Sequence, residues 1–106
     1  MATSTMNVSI TLSAVAQSLY ALLAALNANA SRIAAMVEIQ GDDANTDSFI
    51  VGDSQLSPTN FAWKGQSGGD TWRDEAQNDT NRISVPQIYL RGVAATPTIH
   101  VRMRCL

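Results

Sequence analysis

The sequence predicts a mainly β protein, a small antiparallel β-sandwich or jelly-roll-like domain with one N-terminal apolar helix. Three observations predict it. Apolar and polar residues alternate with a period of two in several separate stretches, the pattern of a half-buried strand. Those stretches are short and are divided by Gly, Pro, Asn and Asp, which is turn chemistry. A helical period occurs near the N-terminus. The 106 residues make one domain's length, enough to bury about two-thirds of the surface exposed on unfolding. Residues 1–106 therefore read as a single domain, an uncharged strand-plus-helix segment (1–31) followed by a β-region (32–106).

Met6, Val8, Ile10 and Leu12 alternate with Asn7, Ser9 and Thr11 and predict the first strand. From Ser13 the period changes: Leu12, Val15, Ala16, Leu19, Leu22, Leu23 and Leu26 form one stripe on a helix. Ser13 or Thr11 can cap it, and Asn27 to Asn29 can end it. Its other face holds Ala14, Gln17, Ser18, Tyr20, Ala21, Ala24 and Ala25 with no charge. Such a face suits either a helix laid across a sheet or one that a second subunit approaches closely.

Ile33, Ala35, Val37 and Ile39 alternate with Arg32, Ala34, Met36 and Glu38 and predict a second strand. Phe49 to Val51 is a short strand ending at Gly52-Asp53-Ser54, and Ser57 to Asn60 is a turn before Phe61-Ala62-Trp63. Residues 64–82 show no periodicity and read as a long loop with Trp72 as its one large apolar residue. Ile83 to Gly92 reads as a strand broken at Pro86. Thr98 to Cys105 alternates strictly, with Ile99, Val101, Met103 and Cys105 on one face and His100, Arg102 and Arg104 on the other.

Charge narrows the function. Seven basic and nine acidic residues give a net charge of −2, whereas phosphate binding needs clustered Lys and Arg, so direct nucleic-acid binding is not expected. Charged residues are 15% of the chain, below the roughly 25% of a typical globular chain, which implies that part of the surface is covered in an assembly. Val15 to Leu26 is too short for a membrane span. Cys105 is the only cysteine; it reads as a small apolar side chain closing the last strand, with a bridge between copies as the alternative.

No motif supplies a chemistry. Asp43, Asn45 and Asp47 are spaced like the first ligands of a calcium loop, but Ser48 and Ser54 replace its Gly and Glu, which favours a turn over an ion site. Asp70, Asp74, Glu75 and Asp79 sit in a Gly-containing loop, a poor scaffold for paired catalytic carboxylates. His100 is the single imidazole, and Ser54 lacks the glycine-flanked elbow of hydrolases. No catalytic residue, cofactor or metal is expected.

Three segments carry a resemblance: Asn45–Ser57 with its Val51–Ser54 corner, Pro86–Gly92 with Ile88-Tyr89, and Pro97–Cys105. Together they resemble a family of small tailed-phage virion proteins, over about the last two-thirds of the chain. The resemblance implies a non-enzymatic structural protein made in the host cytoplasm and carried in the virion. Within that family the expectation is a capsid decoration, or cement, protein on the outer head surface, a homo-oligomer and specifically a trimer. Its partner would be the major capsid or another virion protein, with no membrane. A tail, neck or baseplate part is the alternative, and a carbohydrate-binding module comes third. The interface residues expected are Leu19, Tyr20, Ala21 and Ala25 on the helix, Trp72 as a docking anchor, and the His100, Arg102 and Arg104 face.

Overall fold

A computed structural model describes residues 4–26, 30–76 and 82–106. The elements, in chain order, are β1 (Ser4–Thr11), β2 (Gln17–Ser18), α1 (Leu19–Leu26), β3 (Ile33–Gly41), β4 (Phe49–Gly52), β5 (Trp63–Gly65), β6 (Thr71–Glu75), β7 (Ile83–Ser84), β8 (Tyr89–Gly92) and β9 (Thr98–Cys105). They form two sheets in which every strand pair is antiparallel. The larger runs β1-β9-β3-β6, with β7 paired to the start of β3; the smaller runs β2-β8-β4-β5.

The mainly β reading holds, and the last strand follows its alternation: Ile99, Val101, Met103 and Cys105 are buried while His100, Arg102 and Arg104 are exposed. The inner faces of both sheets enter one hydrophobic cluster that joins Val37, Ile39, Val101 and Met103 of the larger sheet to Phe49, Val51 and Leu90 of the smaller. Pro86 breaks the strand where expected. Val85–Gln87 make a 3₁₀ turn between β7 and β8, because the ring removes a ladder donor.

Three expectations are corrected. The helix is shorter than its apolar stripe. Gln17 and Ser18 pair with Leu90 and Tyr89 instead, α1 starts at Leu19, and the Ser18 hydroxyl caps it by accepting the Ala21 N–H (3.1 Å). Leu19 and Leu23 fill the core, whereas Val15 is 67% and Leu26 60% exposed. The stretch read as a loop, residues 64–82, holds the end of strand Trp63–Gly65 and the whole of strand Thr71–Glu75, and β6 pairs with β3 from Met36↔Glu75 to Gln40↔Thr71. In β3 a register irregularity between Ala34 and Met36 interrupts the alternation; Ala34 is buried and Ala35 half-buried, since an extra residue on one strand turns the following side chains to the other face. The helix stop expected at Asn27 to Asn29 and the carboxylate of Asp79 lie outside the described residues.

Candidate functional site

The outer face of the larger sheet gathers the polar residues that strand alternation turns away from the core. Register aligns them in rows: Ser9, His100, Gln40 and Thr71; then Asn7, Arg102, Glu38 and Arg73; then Thr5, Arg104 and Glu75, with the buried Met36 between the last two. A shallow depression lies over the first two rows, lined by Asn7, Ser9, Glu38, Gln40, His100 and Arg102. Arg73 reaches Glu38 (3.6 Å) and Glu75 (2.5 Å). Among the described residues, Arg102 and Arg104 form no ion pair, and their guanidinium groups are turned to solvent.

His100 is held at both ring nitrogens. Nδ1 lies 2.8 Å from the Ser9 hydroxyl and Nε2 2.8 Å from an Asp42 carboxylate oxygen. The hydrogen bond from His100, with help from the Ala44 N–H, holds the Asp42 carboxyl below its ordinary value of 3.8. Ser9 and Asp42 are 91 and 58 residues from His100 in sequence, so no local motif announces them; only the pairing of β1 with β9, and the loop that leaves β3, brings them together. The trio is open to solvent on a sheet face, with the His100 side chain 44% exposed. Its two hydrogen bonds tie β1, β9 and the 42–47 loop together as a polar clamp.

That loop uses the residues spaced like calcium ligands. Asp43 accepts the Gly68 N–H (3.0 Å). Asn45 accepts the Thr98 N–H and donates to the Thr98 and Gln66 carbonyls, all at 2.8 Å. Asp47 accepts the N–H groups of Ala94 (3.2 Å) and Ala95 (2.9 Å). Burial pushes the Asp47 carboxyl up, but the N–H groups of Ala95, Ala94, Ser48 and Val93 outweigh it and hold it below 3.8. The three side chains thus satisfy backbone on different neighbouring loops instead of converging on one point. Among the described residues no cluster of His, Cys, Asp and Glu is arranged to hold a metal.

The remaining expected interface residues separate. Leu19 is fully buried within its own chain and offers no side chain to a partner. Tyr20 is half-buried under the Arg32 guanidinium, 4.5 Å from its ring centroid. Ala21 and Ala25 are exposed. Trp72 lies on β6 opposite Ile39 and packs, half-buried, against the core. Trp63 packs there too, tilted against Phe49 at 5.4 Å. Among the described residues no helix is long and apolar enough to cross a membrane.

No family model matches the chain, and no curated protein sequence does either. Solved structures similar to it include two assembled proteins. One is from the Bacillus endospore appendages described as a novel family of disulfide-linked pili, with 13% identity and a TM-score of 0.46, covering 99% of this chain and 88% of that one. The other is the virus-like particle of extra small virus from the giant freshwater prawn Macrobrachium rosenbergii, with 9% identity and a TM-score of 0.46, covering 98% and 77%. A likeness this distant carries no argument about the role of this chain.

Proposed function

We propose that this protein is a non-enzymatic structural subunit of a virion: a tailed-phage capsid decoration protein, a jelly-roll-like domain that binds the outer head surface through the polar face of its larger sheet and associates with copies of itself. The observation that carries the reading is Arg102 and Arg104, two exposed guanidinium groups fixed in consecutive rows of a rigid sheet without acidic partners of their own. Planar guanidinium forks grip carboxylates in two-pronged fashion, and a sheet presents them at a constant spacing, which suits docking on an acidic protein surface. The sequence resemblance supplies the virion context. A tail, neck or baseplate location uses the same face equally well. A carbohydrate-binding role is less supported, because Trp63 and Trp72 both pack on the core and leave no aromatic platform between them.

Copy number tests the reading. Densitometry of purified virions against the major capsid protein is expected to give hundreds of copies per particle. A count in the tens would move the protein to the tail or neck. Its absence from purified particles, or loss of an ester-hydrolysing activity on Ser9→Ala, would sink the structural role.

A further inference from the structure

The edges of the two sheets are not alike. The smaller sheet ends in β2, of two residues, and β5, of three residues with Lys64 at its centre. On the far side of the larger sheet, β6 and β7 share the margin of β3, and β6 carries Arg73, Asp74 and Glu75. Short strands and charges are the usual devices that keep an edge from pairing with another chain. β1 has neither. It is eight residues long with no charge and no proline, and its register with β9 runs unbroken from Ser4↔Cys105 to Thr11↔Thr98. Among the described residues no strand lies on its other side.

Which backbone groups face that open side follows from one bond. The Leu12 N–H donates to the Pro97 carbonyl (2.9 Å), one residue beyond the ladder and in its register. The hydrogen-bonded pairs of an antiparallel ladder alternate, so Met6, Val8 and Ile10 bond to β9. The N–H and C=O groups of Thr5, Asn7, Ser9 and Thr11 therefore point outward along the edge.

We propose that a second copy of this chain pairs there, β1 against β1, antiparallel about a two-fold axis. With Thr5 opposite Thr11 of the second copy and Asn7 opposite its Ser9, every outward group finds a partner, about eight hydrogen bonds in all. The strand is self-complementary in this register, and Val8 of each copy meets its equivalent on the axis. Met6 and Val8 are half-buried in the single chain although they pack against the core; the join covers them. A two-fold axis sets equivalent residues near one another, which an uncharged strand tolerates and the charged β6 would not. The two Arg102 residues end up three strand spacings and two residues apart, about 16 Å, beyond a screening length of about 8 Å. This association is two-fold, in place of the trimer that the resemblance implies, and it stands independently of the virion reading.

Amide hydrogen exchange and light scattering on the intact wild-type chain test it. The expected mass is twice 11.3 kDa at micromolar concentration, with slow exchange at every amide from Thr5 to Thr11. A monomer in which Thr5, Asn7, Ser9 and Thr11 exchange fast while Met6, Val8 and Ile10 are protected overturns the proposal. So does an oligomer that leaves those four amides fast. Register is read separately by Val8→Cys in a Cys105→Ala background, since facing non-bonded positions stand about 4.5 Å apart at Cα, within disulfide reach. Mild oxidation is expected to convert the dimer to a covalent one, and protected amides without that cross-link would refute the two-fold register.

Discussion

Asn45 and Thr98 are joined by two hydrogen bonds between one side chain and one backbone: Asn45 Oδ1 takes the Thr98 N–H and Asn45 Nδ2 gives to the Thr98 carbonyl, each at 2.8 Å. An amide side chain here does what a neighbouring strand does elsewhere. It closes the start of β9 where the Asp42 N–H bonds the same carbonyl (3.1 Å).

Removing that closure is expected to be costly for a single loop substitution. Asn45→Ala strands a half-buried N–H and weakens the hold on residue 66, and an unsatisfied polar group of this kind costs about 1–3 kcal/mol. Asn45→Asp keeps the acceptor but loses both donated bonds and sets a carboxylate against two carbonyls, so it should be no better than Ala. Urea denaturation midpoints check both, and an unchanged midpoint for either variant counts against the staple.

The two faces of β9 separate stability from attachment. Val101 is 2% exposed in the core, and Val101→Ala should cost roughly 2 kcal/mol through lost burial and residual space. Arg102→Ser with Arg104→Ser should leave the melting temperature nearly unchanged, as surface changes away from networks do. The same pair should weaken binding to undecorated heads, with the deficit largest at low salt where charge pairing is least screened. Equal binding by wild type and mutant across a salt series removes the charged face from the proposed function.

How far the sequence revealed this fold depends on whether a residue's partners are local. β9 was legible because both its faces obey a period of two. β6 was not, because an edge strand reading Thr-Trp-Arg-Asp-Glu has one apolar residue to alternate, and its identity as a strand comes from β3, more than 30 positions away. The helical stripe misled for the opposite reason. Val15 and Leu26 sit at helical spacing yet are exposed, since spacing records what a helix could bury and not where the chain leaves it. The Ser9–His100–Asp42 clamp has no sequence signal at all, being made by strand pairing. Trp72, expected to pack either on its own domain or into a neighbouring protein, lies half-buried against its own core.

Acid should loosen the loops before the sheets. Asp42 and Asp47 both have carboxyls held below the ordinary 3.8 in the folded chain. A group depressed in this way contributes stability that is fully present above the unfolded value and is lost as pH falls through the folded one. The loss is therefore expected below about pH 4, and there should be no gain from these groups on further alkalinisation. Asp47→Asn retains an acceptor for the Ala94 and Ala95 N–H groups but cannot titrate, so its stability should fall less steeply between pH 5 and pH 3. Parallel slopes for the two proteins would exclude Asp47 as a contributor.

Two glycines of the same loop region should respond in opposite directions to the same methyl group. At Gly41 an added Cβ would stand 2.2 Å from the Gln66 carbonyl oxygen and 2.7 Å from that of Ser67. Those atoms are backbone and cannot swing aside. Gly41 also donates its N–H to the Asp70 carbonyl (3.2 Å), so relieving the clash breaks the contact that seats the 66–70 turn beside β3. Gly41→Ala should therefore destabilise by about 2 kcal/mol or more, in the range of overpacked sites. At Gly69 nothing lies within 4 Å of the same methyl, and no glycine among the described residues has a positive φ. There the substitution acts chiefly on the unfolded chain, whose freedom it reduces, and should stabilise by about 0.4–1 kcal/mol. Thermal melts of the two single mutants decide the matter: a loss at Gly69 comparable to that at Gly41 would mean that the turn is held by glycine's backbone freedom and not by the close approach of residue 66 to residue 41.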